Sequence, residues 1–398
     1  MKKYLIFIVI IANLVSCTKR TNIKPLLNTF SIIYINNWQS EQAPRLATFI
    51  KSEESKNPVL VIVNGDISSE SKFSDMNKGL ADIELMNQCK VDAVYLHSQL
   101  FKYGMQNIKD LIRKSDFSYL GANIRDKQTK QPIGQEYLFK TVGNTQIAIT
   151  GINFDTLDFY LQDKNLEIRS ADFSISKILP FIQERSDFQF LLTQTEDTLD
   201  LPFTMILQAP ARNQVKLLND NQKGIFIIRV GYDNLKNIME IKRSTTSLDT
   251  IAPDPVALSI LKKNESHTDS MLKTKLLANN LNDKLLKTLL IQTKTTAYLS
   301  QEPLVPLTAK SQTIDLDEIY NLLNQKNVLP IITILGKELL SIQKSISPAI
   351  KKIADNNTYS ILTTIDFLTQ HPEVEYDSIE FIQMTVLEML LNNLKPME

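Results

Sequence analysis

Glycine is scarce in this chain, at 10 residues in 398, against an ordinary share of about 7%. Loops that bring backbone N–H groups up to phosphates need glycine's freedom at positive φ. The sequence accordingly has no Gly-x-Gly-x-x-Gly and no Walker-type loop. Histidine is scarcer still. His97, His267 and His371 are the whole supply and lie in different segments, so an imidazole-rich metal cage has little to draw on. Cysteine occurs only as Cys17 and Cys89, which excludes a disulfide framework and any Cys-x-x-Cys site. No Gly-x-Ser-x-Gly elbow is present, and arginine stops at Arg243. The 44 basic and 44 acidic side chains cancel, leaving no electrostatic argument for a nucleic-acid partner. No apolar run after Val15 is long enough to cross a bilayer.

What is present begins at the first residues. Met1-Lys2-Lys3 is a basic head, and Tyr4 to Val15 is an apolar run too short for a committed membrane span. Leu14-Val15-Ser16-Cys17 then reads as a bacterial lipoprotein signal with cleavage before Cys17. A non-lipidated secretory leader or an N-terminal anchor helix are the alternatives. Small Ser16 before the cysteine and polar Thr18-Lys19-Arg20 behind it favour lipidation. Several acyl chains on Cys17 supply the contacts that stable anchoring needs. The expectation is a signal peptide over 1–16, a tether over 17–28, and a protein held to an envelope membrane through Cys17. An outer-membrane or cell-surface position is expected ahead of the inner membrane. Cys89 is then the one free thiol, in a helical segment before a strand, and reads as a small buried hydrophobe.

From residue 29 to about 245 short β-branched runs alternate with amphipathic segments. Strands are predicted at Ser31–Ile35, Val59–Val63, Ala93–Leu96, Ser118–Leu120, Gln146–Thr150, Gln189–Leu192, Thr204–Leu207 and Ile225–Val230. Helices are predicted at Arg45–Ser52, Leu80–Asn87 and Gln106–Arg113. This rhythm argues for a layered α/β domain over 29–245. Ile251-Ala252-Pro253-Asp254-Pro255 marks a boundary, since prolines stop one element and can start a helix. A linker with a helix is expected over 246–270 and a second α/β domain over 271–398. The pattern is helical from Pro255 to Leu290, then mixes strands (Val328–Ile334, Tyr359–Thr363) with helices (Leu316–Leu323, Ile379–Leu391).

Lys78-Gly79-Leu80-Ala81-Asp82-Ile83-Glu84-Leu85-Met86-Asn87, followed by Val91-Asp92-Ala93-Val94-Tyr95-Leu96, resembles the bacterial 5′-nucleotidase family. So do Val63-Asn64-Gly65-Asp66, Tyr103-Gly104, Leu120-Gly121-Ala122-Asn123-Ile124 and Ile147-Ala148-Ile149-Thr150-Gly151. Further on, Ile314 to Asn321 with Leu335-Gly336-Lys337-Glu338-Leu339 resembles the segment carrying one of the family's base-stacking aromatics. Thr358-Tyr359-Ser360 with Asp366-Phe367-Leu368 resembles the segment carrying the other. The resemblance spans roughly the whole mature chain. It implies a four-layer metallophosphoesterase-like α/β sandwich followed by a 5′-nucleotidase C-terminal-like α/β domain.

The resemblance also implies a dimetal centre, and there the residues depart from it. The family's first-strand Asp-x-His pair falls on Asn37 and Gln39. The bridging carboxylate is kept as Asp66. A ligand Asn falls on Ser98, and the His–Asp catalytic dyad falls on Gln99 and Lys102. A further histidine falls on Gln194, and the closing Gly-His-x-His falls on Ala209-Pro210-Ala211-Arg212. Asn and Gln offer only a neutral carbonyl in place of carboxylate or imidazole, while Lys102 and Arg212 would repel dications. His97 takes the family's glycine position, where packing or solvent exposure is expected of it. In the second domain Gln325 replaces the first stacking aromatic, Phe367 keeps the second, and the phosphate-binding arginines are absent. Phe367 is read either as a base-stacking ring or as a core residue. Trp38 falls where the metal-site loop would be, either plugging the vacated space or, if exposed, offering a partner contact.

The leading expectation is a lipid-anchored envelope protein on a degenerate 5′-nucleotidase scaffold, catalytically inactive and acting by binding or as a structural component. No metal or other cofactor is expected. Beyond the membrane, an unidentified protein or small molecule would be the partner. The alternatives are a metal-dependent phosphohydrolase with a rearranged site and a non-hydrolysing nucleoside-binding lipoprotein.

Overall fold

The structure is a computed structural model that describes residues 27–65, 72–154, 158–194, 201–208, 224–277, 280–300, 304, 313–323, 328–342, 346–347, 353–382 and 385–393. The first half of the chain runs β1 (Asn28–Asn36), α1 (Ala43–Glu54), β2 (Val59–Asn64), α2 (Lys72–Asn77), α3 (Leu80–Gln88), β3 (Ala93–Tyr95), α4 (Gly104–Lys114) and β4 (Ser118–Leu120). It continues through β5 (Ile124–Asp126), β6 (Tyr137–Val142), β7 (Thr145–Gly151), β8 (Leu166–Ile168), α5 (Ala171–Arg185), β9 (Phe188–Thr193), β10 (Met205–Gln208), β11 (Gly224–Tyr232) and β12 (Ile238–Thr246).

Two sheets organise these elements. One has the order β12-β11-β1-β2-β3-β4 and the other β10-β9-β7-β6. β1, β2, β3 and β4 are parallel neighbours, and β7, β9 and β10 are parallel in the second sheet. Parallel strands are covered on both faces, so they read as near-continuous apolar runs, as in the Ser31–Ile35 segment SIIYI. Ile32 and Tyr34 of β1 point between the sheets, towards Ile149, Phe190 and Leu192. Ile33 and Ile35 point the other way, into a core shared with α1, α3 and α4. The outer face of the second sheet is closed by Ile175, Ile178, Leu179 and Ile182 of α5. The result is a four-layer α/β sandwich. Cys89 ends α3, fully buried, with its thiol pushed up to about 12 by burial.

α6 (Pro255–Leu272) starts on Asp254, whose carboxylate accepts from the Val256 and Ala257 N–H groups at 3.2 and 3.0 Å. Its Ala257 and Leu261 pack into the first domain's core. Beyond it come β13 (Lys275–Leu277), α7 (Leu281–Thr293), β14 (Ala297–Leu299), β15 (Thr313–Asp315), α8 (Leu316–Leu323), β16 (Ile331–Leu335) and α9 (Gly336–Ser341). β17 (Ile346–Ser347), β18 (Thr358–Thr363), α10 (Ile365–Gln370), β19 (Ser378–Glu380) and α11 (Val386–Asn393) complete the second domain around a sheet of order β17-β14-β18-β16-β19.

Two expectations are corrected here. The helical pattern from Pro255 to Leu290 is two helices with β13 between them, because Leu276 is buried opposite Ile314 in an antiparallel pair. The predicted helix Ile379–Leu391 is strand β19 followed by α11. Ile379 pairs with Ile332 at the sheet edge, and the helix begins only after Thr385. There the Thr385 hydroxyl accepts the Glu388 N–H at 3.2 Å while the Glu388 carboxylate accepts the Thr385 N–H at 2.9 Å, a reciprocal box that fixes the start.

Candidate functional site

The carboxyl ends of β1, β2, β3 and β9 come together, and of the sequence-predicted positions Asn37, Gln39, Ser98 and Gln194 lie there. β1 ends at Asn36, and Asn37 follows in the left-handed region at φ 63, a conformation asparagine tolerates better than most residues. Gly65 follows β2 at φ 129, and a Cβ there would lie 2.5 Å from Asn37 Oδ1. Only glycine allows the two strand ends to approach this closely. Asn64 is fully buried and donates to the Tyr34 hydroxyl at 2.9 Å and to the Leu207 carbonyl at 2.7 Å. It thereby ties β2 to the far sheet, and burial pushes the Tyr34 phenol well above its ordinary range. Among the described residues the side-chain oxygens of Asn36 and Asn64 are buried without a hydrogen-bond partner.

His97 lies just past β3 and bridges to β9. Its Nδ1 accepts the Gln99 N–H at 3.0 Å, which places the proton of the neutral ring on Nε2. That nitrogen faces the Gln194 side-chain amide, which accepts its proton with the amide oxygen turned to the ring. Both ring nitrogens are therefore committed. The Ser98 hydroxyl donates to Asp158 at 2.8 Å. Trp38 is 1% exposed, and its indole N–H donates to Ser40 Oγ at 3.2 Å. The ring fills the strand-end loop and leaves beside it a recess of about 10 Å³, lined by Ile35, Asn37, Gln39, Gln42, Leu46 and Ile225. That is room for roughly one water. Trp38 as an exposed partner contact is thus corrected: the ring is part of the core.

Neither a protein-family model nor a curated protein matches the sequence. Solved structures do. The 5′-nucleotidase precursor of Thermus thermophilus matches with a TM-score of 0.56 at 14% identity, over 92% of this chain and 96% of that one. A putative 5′-nucleotidase of Staphylococcus aureus gives 0.57 at 11% identity, over 92% and 97%. The Haemophilus influenzae NAD nucleotidase gives 0.54 at 12% identity, over 92% and 96%. The chain has the two-domain 5′-nucleotidase fold. At such identities the likeness concerns the fold alone.

A 5′-nucleotidase fold implies a pair of divalent ions at these strand ends, and the described donors do not fit them. Among the described residues no group of three or more His, Cys, Asp and Glu side chains converges. Asn37, Gln39, Ser98, Gln99 and Gln194 contribute amides and a hydroxyl. The orphaned oxygens of Asn36 and Asn64 suit a water or a hard cation, not two ions that need anionic and imidazole donors. Asp66, Pro210 and Arg212 lie outside the described residues, as do Gln325 and Cys17.

Lys102 is built into the joint between the domains. Its ammonium pairs with Asp75 of α2 at 2.8 Å. The same carboxylate accepts the Tyr103 hydroxyl at 2.5 Å and, from α8 of the second domain, the Tyr320 hydroxyl at 2.6 Å. Burial, reinforced by the Asp75 charge, raises the Tyr103 phenol well above its usual range. The Tyr103 ring packs with Ala297, Leu299 and Phe367 in a second-domain core cluster. Elsewhere along the joint Lys78 pairs with Glu388 at 2.6 Å, Lys72 with Asp317 at 2.6 Å, and the Phe381 N–H donates to buried Asp163 at 2.7 Å. Nothing in the sequence singles out Asp75, Tyr103 and Tyr320 as a unit.

Phe367 sits in α10, capped by Thr364 at 3.0 Å, and is 4% exposed. The His371 ring lies 4.4 Å from it. In this arrangement Phe367 presents no open face to a base, and the core position is the one it occupies.

Proposed function

We propose that this is a lipid-anchored envelope protein that uses the 5′-nucleotidase fold to bind or to support and does not hydrolyse nucleotides. The observation that carries the reading is the use of Lys102. At the position where the family resemblance puts a catalytic carboxylate, a buried lysine is held by Asp75 and so by the interdomain joint. Hydrolysis needs an activated water, charge stabilisation at the phosphoryl oxygens and help for the leaving group. Gln99 cannot take the imidazole's part in proton transfer, and both nitrogens of His97 are engaged. A protein of this kind gains nothing from a metal cage, so its stability should not respond to one.

The test is turnover of 5′-AMP with added manganese, alongside thermal unfolding with EDTA, manganese or zinc. No turnover and an unchanged melting temperature are expected. Metal-dependent hydrolysis abolished by Asp66→Ala would overturn the reading in favour of a rearranged phosphohydrolase.

The anchor is tested separately. Cys17→Ala should abolish incorporation of labelled fatty acid and leave the protein unprocessed or released from membranes. Persisting label and membrane fractionation in that variant would show that the lipid is not on Cys17.

A further inference from the structure

The strand hairpin at one end of the larger sheet carries apolar residues that nothing in the described fold covers. Leu235, at the tip of the β11–β12 turn, is 82% exposed, and Met239 and Ile241 of the edge strand β12 are 55% and 53% exposed. The register of β12 shifts at Met239, which has no partner on β11, so Met239 bulges out of the edge beside the turn while Ile241 stands opposite Val230. The turn is a built structure. Asp233 Oδ1 accepts the N–H groups of Leu235 and Asn237, each at 2.9 Å. Lys236 takes the left-handed conformation at φ 65 and donates to the Asn144 carbonyl at 2.6 Å. Leu235 is therefore held outward by hydrogen bonds on both sides of it.

The beginning of β1 lies beside this turn. Asn28 pairs with Tyr232, the last residue of β11, and its side chain donates to Asn234 at 3.2 Å. Leu27 packs against Gly231. Cys17 precedes Asn28 by eleven residues, a reach of at most about 40 Å extended and about 18 Å on average for a flexible chain. The intervening Thr18 to Leu27 holds Lys19, Arg20 and Lys24 and no acidic residue, which suits an anionic lipid surface.

We infer that the β11–β12 hairpin is the part of the fold this protein lays on the bilayer, with Leu235 entering the headgroup region and bulged Met239 beside it. The inference rests on the lipid-anchor reading, because the acylated Cys17 is what brings a membrane to this end of the sheet. One tether alone leaves a domain free to swing; a leucine on a rigid turn adjacent to the tether's exit fixes its orientation. The occupant is the lipid surface, because the chain that leads from Cys17 joins the fold at Asn28, beside this hairpin.

The experiment uses the acylated full-length protein reconstituted in vesicles of phosphatidylethanolamine and phosphatidylglycerol. An environment-sensitive fluorophore is attached at Leu235→Cys, and in a separate sample at exposed Gln370→Cys of the second domain. Cys89 is buried and takes no label. On anchored protein the label at 235 should shift its emission to the blue and lose most of its intensity to nitroxide-bearing lipids, while the label at 370 should do neither. Mass measurement reports acylation independently. Acylated protein whose label at 235 behaves like that at 370 would overturn the inference and leave the anchor standing. Absence of acyl chains from Cys17 would overturn the anchor and this inference together.

Discussion

Replacing Asp75 by alanine should lower the unfolding free energy by about 3–5 kcal/mol, the range for breaking a buried ion pair from one side. The size follows from what is left behind. Lys102 has 11% of its side chain exposed and would lose the carboxylate it pairs with, while the hydroxyls of Tyr103 and Tyr320 would lose the acceptor they share. Tyr320→Phe removes one donor to a charged acceptor and should cost about 1.5–3 kcal/mol. The two changes act on one network, so the double variant should be less destabilised than the sum. Denaturant unfolding followed by circular dichroism measures all three. A loss below about 1 kcal/mol for Asp75→Ala would place this carboxylate in the class of weak surface pairs and remove the argument that it joins the domains.

Trp38→Ala should be of similar magnitude, about 3–5 kcal/mol, because it deletes a large buried ring and leaves a cavity. The loss extends beyond packing. The indole N–H donates to Ser40, Ser40 contacts fully buried Asp82, and Ser74 donates to the other Asp82 oxygen at 2.8 Å. Trp38→Phe keeps most of the volume and breaks only the first link, so it should cost markedly less than the alanine change. Trp38 is the single tryptophan of the chain, which supplies a direct optical check. Native emission should be blue-shifted and move to the red on unfolding. A native spectrum typical of solvated indole would contradict the buried placement.

Much of the scaffold is legible in the sequence because its physics is local. Ser118–Leu120 and Leu316–Leu323 match their elements residue for residue, and β1, β2, β7, β9 and β11 only gain residues at their ends. These segments carry unbroken apolar character or clean helical spacing, and little competes with it. The local pattern does not predict α5, since Pro180 stands in its interior and proline argues against helix on local grounds. Burial of Ile175, Ile178, Leu179 and Ile182 overrides that preference. The stretch after Ser378 misleads because a three-residue strand and a capped helix share one apolar run.

At the strand ends the sequence shows which donors are absent but not what the substitutes do. Nothing near Lys102 in the chain indicates that it meets a carboxylate 27 positions earlier, which in turn takes a hydroxyl from 245 positions further on. The amides of Asn64, Asn123 and Asn153 likewise share no periodicity, yet Asn123 donates to the Asn153 carbonyl at 2.6 Å and Tyr95 to the Asn153 side chain at 2.8 Å. Such networks are set by tertiary placement, and one sequence holds no trace of them.

The Asp75 joint has a consequence for how the molecule moves. Its carboxylate grips donors from both domains, and Met76 and Tyr103 beside it each pack against a core cluster of the second domain. Among the described residues that arrangement ties the two halves together and opposes rotation of one against the other. In solution the protein should tumble with one rotational correlation time and scatter X-rays as one particle of fixed outline. A partner would therefore meet a preformed relief spanning both domains and would lose little affinity to ordering it.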